Sequence, residues 1–403
     1  MNVKRLPVRR LGDVFLGKMI QPEPKSVTDV SARYLRAAHV QPNGRIIGVD
    51  DKEMWFDRDE LSRHDLRVDD VVIVEGGAGY GRSAVIRNHF DGWGFQNSIV
   101  RVRPRSGVSC GRFLDYALQA ALTNGEIEIA CFTATIPHFT ADKVASFNIP
   151  APPVQEQRAI ADYLDRETAR IDTLIEEQQH LVELLLERRR SVADELLGRT
   201  SAVCPLKRVT ADITVGIVVN PAAWYAESGV PALRGLNVRP GYINPTDLVY
   251  LSAEGDARHE KSRLRTGDVV VVRTGQAGAA AVVPPDLDES NAIDLLIIRP
   301  GSKVDPNFLA AYLNAPSTKT QITEGSVGAI QGHFNVAALR ELSFPVLGIA
   351  EQHDYVEQWH YRSRAIDTLI AETERFIELS RERRSALITA AVTGQIDVRG
   401  EVA

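Results

Sequence analysis

Residues 71–86, VVIVEGGAGYGRSAVI, set a β-branched run before Gly76, Gly77, Gly79 and Gly81. A strand leading into spaced glycines lets backbone N–H groups close on a phosphate, as at the start of dinucleotide and S-adenosylmethionine sites. The same residues would also serve a tight turn between two strands.

A second copy of the stretch weighs between them. Sliding the chain by 198 residues lays DVVIVEGGAG on DVVVVRTGQAG, pairing Asp70 with Asp268 and Gly77 with Gly275. On that register alanines stand where Gly79 and Gly81 do, and neither a G-K-[ST] nor a long amphipathic helix follows. Strand, turn and strand are what the copies share, so a nucleotide-binding enzyme built on residues 76–81 is the least favoured reading. Other catalytic patterns are missing from the sequence: [ND]-P-P-[YF], a Walker A loop, H-E-x-x-H and paired cysteines. NPTD at 244 and VPPD at 283 lack the aromatic that would stack on a flipped base. Cys110, Cys131 and Cys204 are scattered, which suits a reducing compartment and no metal site.

The repeat extends over most of the 403 residues. YLRAAHVQP is matched by PALRGLNVRP, so Arg36 falls on Arg234. Further on, the shift tightens to 195: FLDYALQA from Phe113 becomes FLAAYLNA from Phe308, and His138 and Phe139 fall on His333 and Phe334. Glu156 and Gln157 fall on Glu351 and Gln352, and IDTLI at 171–175 recurs unchanged at 366–370. Each copy is a mixed region, with β-branched runs between Gly, Pro and Asn turns, followed by a helix. The first helix opens after Pro152 and Pro153 and meets no glycine until Gly198. Apolar positions 171, 174, 175, 181, 182, 184 and 192 recur 195 further on, near the 3.5-residue period of a coiled coil. Helices of about 40 residues, roughly 60 Å long, would bury these stripes by pairing.

The expected fold is α+β: two repeated mixed domains alternating with two long helices that pair as an antiparallel coiled coil, pseudo-two-fold symmetric. The expected segments are a domain at 1–150, a helix at 151–200, a domain at 201–345 and a helix with a C-terminal tail at 346–403. The net charge of −6 lies on the helices, where 151–200 hold seven basic against eleven acidic residues, while the domains are near neutral and rich in arginine. Arginine forks onto guanine or phosphate, so DNA on the domains and protein on the helices is the favoured assignment. No apolar run reaches the roughly 20 residues of a membrane span, and the cytoplasm is the expected compartment.

The segment IPAPPVQEQRAIADYLDRETARIDTLI at 149–175, its second copy at 345–392, the LRG-like segments at 35 and 233 and DVVVVRTG at 268–275 resemble the specificity subunits of type I restriction-modification systems. The resemblance covers nearly the whole chain, and the doubled order of the motifs is its most specific feature. At FPVLGIAEQHDYV the second copy has Leu347 and Gly348 in place of Pro152 and Pro153, and a looser helix start is expected there. The resemblance implies a subunit without catalysis of its own, in which each variable region is a target recognition domain for one half of a bipartite double-stranded DNA site. It implies paired helices that fix the gap between the halves and dock two methyltransferase subunits and, through them, restriction subunits. S-adenosylmethionine, ATP and Mg would belong to those partners, and no metal or cofactor to this chain.

Candidate DNA-contacting residues are Arg36, Arg45, Arg82 and His138 in the first copy, and Arg234, Arg239, Gln276, Gln331 and His333 in the second. The equivalent Arg36 and Arg234 suit phosphate positioning, whereas Arg82, Gln276 and Gln331, where the copies diverge, suit base readout. His138 and His333 read equally well as packed corner histidines, with no nucleophile beside them. Candidate helix residues for partners are Ile171, Leu174, Ile175, Leu181, Ile366, Leu369, Ile370 and Phe376. A coiled-coil adaptor whose domains bind protein instead of DNA is the alternative reading.

Overall fold

The computed structural model describes residues 3–88, 90–132, 137–198, 202–326 and 334–398, the side chains of 324–326 excepted. The chain divides into two compact units, Met1–Gln178 with Arg375–Ala403, and Gln179–Glu374.

In the first unit, β1 (Gly12–Leu16), β2 (Val71–Val74), β3 (Ser83–Val85) and β4 (Ile99–Pro104) form an antiparallel sheet in the order β1-β4-β2-β3. The four valine and isoleucine side chains of β2 are all buried, because both faces of this sheet are covered. Val71, Ile73, Val100 and Val102 face helix α1 (Gly111–Thr123), whose Phe113, Leu114, Ala117 and Leu118 complete the core. The long helix α2 (Val154–Leu197, 44 residues) enters the same core through Ile160, Ala161 and Leu164.

The second unit repeats this plan. β5 (Thr210–Val215), β6 (Val269–Val272), β7 (Ala280–Val282) and β8 (Leu295–Pro300) pair in the corresponding order β5-β8-β6-β7, under helix α3 (Pro306–Asn314). Helix α4 (Ile349–Val392) also has 44 residues and starts 195 positions after α2. The looser start expected at Leu347 and Gly348 is not found. Glu351 accepts from the Gly348 N–H at 2.7 Å, a bond that the corresponding Pro153 cannot donate, while Gln352 donates to the Leu347 carbonyl at 2.8 Å as Gln157 does to Pro152.

The two long helices pair within each unit and run antiparallel. In the second unit Arg189 of α2 meets Asp367 of α4 at 2.8 Å, while Glu195 meets Arg362 at 3.2 Å. In the first unit Arg384 of α4 reaches Asp172 of α2 at 2.9 Å. The covered positions step by four and three, as 161, 164, 168, 171, 175 on α2 and 363, 366, 370, 373, 377 on α4, the register of a coiled-coil seam. The sequence stripe merged this seam with a second row. Leu174, Leu181 and Leu184 and their counterparts Leu369, Phe376 and Leu379 stay 37 to 52% exposed, because a two-helix seam covers only the a and d positions.

Candidate nucleic-acid interface and helix faces

The glycine loop closes an antiparallel hairpin of β2 and β3, with no helix behind it. Gly77 and Gly81 hold φ of +78° and +77°, the left-handed backbone that glycine adopts at no steric cost. In the second copy Gly275 and Gly278 hold +81° and +84°. Gly81 therefore corresponds to Gly278, not to Ala279: the N–H groups of Gly81 and Gly278 donate to Val74 and Val272, each at 2.9 Å. The second turn is one residue shorter, and both copies retain the glycines their turn requires. Gly76 has a different reason. A Cβ there would lie 2.5 Å from the His138 imidazole, so the glycine makes room for that ring.

Around this turn the structure places several candidate residues. His138 is exposed and bridges Gly76 through its backbone. Arg82 is half-buried in a cleft of about 160 Å³ with Gln41, Asn43, Gln119 and Arg384. Arg45 is exposed on a short ribbon, paired with Gln41. Gln276 is exposed in the second-copy turn, and Arg239 is half-buried opposite Tyr242. Gln331 and His333 lie outside the described residues.

Arg36 and Arg234 are braced internally. Arg36 pairs with Asp50 at 2.5 Å, while its backbone N–H donates to the buried His39 ring at 3.3 Å. Arg234 donates to the Asp247 carbonyl at 2.7 Å, and its backbone N–H donates to Asn237 at 2.9 Å. Burial, helped by the Arg36 charge, pulls His39 below the ordinary histidine range, so a neutral ring accepts the cap bond. Both arginines thus pin the start of a one-turn helix, and His39 and Asn237 are capping residues that the sequence reading passed over.

Two further features went unread. Gln157, 1% exposed, accepts from the Cys110 N–H at 3.0 Å and donates to the carbonyls of Val108 and Pro152. Gln352 does the same with Asp305, Lys303 and Leu347, each at 2.8 Å. The repeated Glu-Gln step is therefore the clamp that fixes each long helix to the loop before α1 or α3; its recurrence was the available signal. The second feature is a loop after β1, where Met19 and Ile20 are exposed, matched after β5 by Val218 and Val219. The segments GKMIQP and GIVVNP carried this signal.

On the helix faces Ile171, Ile175 and Ile366 turn inward, Ile370 is half-buried, and Leu174, Leu181, Leu369 and Phe376 face outward. At the junction of α1 and α2, Asp165 receives bonds from Arg87, Arg112 and the Tyr116 hydroxyl at 2.6 to 2.8 Å. Burial pushes the Asp165 carboxyl up, but these three donors outweigh it and hold it below the usual range. Asp115, fully enclosed on α1, is pushed up to about 6 by burial, against bonds from Ser83 and Gln119. Among the described residues no group of three or more His, Cys, Asp or Glu side chains is arranged to hold a metal ion. Among them, too, no helix is long and apolar enough to cross a membrane.

A model of the type I restriction modification DNA specificity domain matches residues 62–184. The EcoBI type I restriction enzyme specificity subunit of Escherichia coli is 22% identical over 312 residues, 71% of this chain and 65% of that subunit. The MjaVIII specificity subunit of Methanocaldococcus jannaschii is 22% identical over 75% of this chain and 74% of its own length. Among solved structures, one from a study of assembly and conformational transition of the type I R-M system aligns over 98% of both chains, with a TM-score of 0.71 and 15% identity. The HsdS subunit from Thermoanaerobacter tengcongensis covers 98% of this chain at a TM-score of 0.59 and 16% identity. Residues 62–184 thus match that domain model, and the chain is similar in sequence and in fold to specificity subunits of type I restriction enzymes.

Proposed function

We propose that the chain is the DNA-specificity subunit of a type I restriction-modification complex. Each mixed domain would read one half of a bipartite duplex target, and the paired helices would set the distance between the halves. The observation that carries this reading is the duplication with reciprocal bracing. Each unit has the same sheet order, the same glutamine clamp and an equivalent Arg–Asp pair, Arg384 with Asp172 and Arg189 with Asp367. A scaffold that holds two heads in fixed register needs such sameness, while the turns carrying Arg82 and Gln276 differ, as two unlike half-sites demand.

Methyltransferase subunits would dock on the outward rows, Leu174 and Leu181 on α2 and Leu369 and Phe376 on α4, with restriction subunits joining through them. Catalysis, with S-adenosylmethionine, ATP and Mg, would belong to those partners in the cytoplasm. The test is co-expression with a type I methyltransferase subunit and mapping of methylated bases in the host DNA. The expected result is a bipartite motif that changes in one half when residues 1–150 are exchanged. A stable complex that methylates nothing would remove the specificity role and favour a protein-binding adaptor.

A further inference from the structure

Asp165 of α2 corresponds to His360 of α4, and the partners of Asp165 have no counterparts in the second unit. Arg112 is replaced by Asn307, Tyr116 by Ala311 and Arg87, on the β3 side, by Pro284. In the first unit the four side chains close the space between α1 and α2. In the second that space is a cleft of about 250 Å³, with Asn307, Ala311 and His360 in its wall. Ser363 records the loss: its counterpart Thr168 lies 3.2 Å from the Tyr116 hydroxyl, whereas the buried Ser363 hydroxyl has no partner.

The cleft is cationic. Arg189, Arg190, Lys319 and His360 line it, with no acidic side chain among them. Arg189 is committed to Asp367. The side chains of Arg190, Lys319 and His360 make no hydrogen bond or ion pair among the described residues. The nearby Asp194 is held by the Ser317 N–H and hydroxyl, at 3.2 and 2.5 Å. Two side-chain cations without a partner, Arg190 and Lys319, on a chain of net charge −6 concentrate positive potential in this cleft. The half-buried Trp359, with Pro240 and Pro316, adds apolar planes beside the charges. Counterparts of Arg190, Lys319 and His360 are Ser385, Asn124 and Asp165, so these three positions are peculiar to the second unit, whereas the corresponding cleft of the first carries Arg82 and Arg384.

We propose that this cleft binds the phosphate of a nucleotide, with Arg190 and Lys319 on the phosphate oxygens and Trp359 against the sugar or base. A guanidinium forks onto two phosphate oxygens while an ammonium supplies a point charge, and an indole accepts the face of any base. The phosphate could come from a free nucleotide or from a DNA strand. The free-nucleotide source is independent of the function proposed above.

The test is calorimetric titration of the full chain with AMP, with inorganic phosphate and with a short DNA duplex. Two variants are compared with the parent: Arg190→Ala with Lys319→Ala, and Asn307→Arg with Ala311→Tyr and His360→Asp, which transplants the closure of the first unit. Circular dichroism and the unfolding midpoint confirm that both are folded. AMP binding weakened at least tenfold in both variants supports a free nucleotide. No AMP binding, but a loss of duplex affinity of at least tenfold in both, supports a strand phosphate. Affinities for AMP and duplex that stay unchanged in both variants overturn the proposal.

Discussion

Gln157 and Gln352 perform the same task in the two units, whereas Asp165 and His360, eight positions further along each helix, perform opposite ones. The glutamines clamp a helix start to a loop. Asp165 gathers Arg87, Arg112 and Tyr116 into a closed junction, while His360 borders an open cleft. A duplicated chain keeps what both copies need for their geometry. It is free to differ where the geometry is already secured.

The widest predicted gap between the units follows from this. Asp165→Asn weakens three hydrogen bonds to a charged acceptor and should cost about 3 kcal/mol, limited because Arg87 is exposed and Arg112 keeps Asp162 as a partner at 2.7 Å. His360→Asn, at an exposed position without polar partners, should stay within about 0.5 kcal/mol. Urea unfolding of the two variants checks both numbers. Equal costs would mean that the two junctions are braced alike.

The glutamines should show the reverse, near-equality. Gln157→Ala and Gln352→Ala each leave one buried N–H and two carbonyls without their partner, a loss of about 3 kcal/mol. Unfolding midpoints for the two variants should fall together. A large difference would show that the prolines before α2 carry part of a load that Gln352 carries alone.

Much of this architecture was legible in the sequence, and the doubling is why. The two long helices, the strand-turn-strand units and the Glu-Gln step all appear twice, and a pattern seen twice resists chance. What stayed hidden depends on distance in space. A turn shorter by one residue moved Gly278 off the apparent register, and only hydrogen bonds to Val74 and Val272 restore it. Leu174 and Ile175 are neighbours with the same apolar chemistry, yet only the partner helix determines that Ile175 is covered. The candidates Arg36 and Arg234 were legible as equivalent, but their ties to Asp50 and Asp247 reach 13 or more residues along the chain. The Asp165 network joins residues up to 78 positions apart, and no spacing rule reaches that far.

A pH-dependent contrast comes next in size. Asp115 is buried and its counterpart is Ala310, so the second unit has no carboxyl at this position. Its carboxyl titrates near about 6 in the folded chain, against about 3.9 when unfolded. Between those values the folded chain holds a proton that the unfolded chain has released, so stability falls as pH rises from about 4 through 6. The loss should approach about 2–3 kcal/mol and be complete above about pH 7. Asp115→Asn should flatten this slope, which urea titrations at pH 5 and pH 7.5 would read directly.

The smallest contrast concerns the reciprocal ion pairs. Arg384 is 5% exposed where it meets Asp172, while Arg189 and Asp367 both have nearly half of their side chains in solvent. Charge pairing in water is screened and offset by side-chain ordering, so Arg189→Met should change stability by less than about 0.5 kcal/mol. Arg384→Met removes the partner from a site that solvent hardly reaches, but Asp172 stays 38% exposed and can rehydrate. That limits the cost to roughly 1–2 kcal/mol. Raising the salt concentration separates the cases further, because it weakens the Arg189 pair and leaves the Arg384 pair nearly intact. If both pairs responded equally to salt, the seam at Arg384 would be open to water, and the first unit would owe its bracing to Gln157 and Asp165 alone.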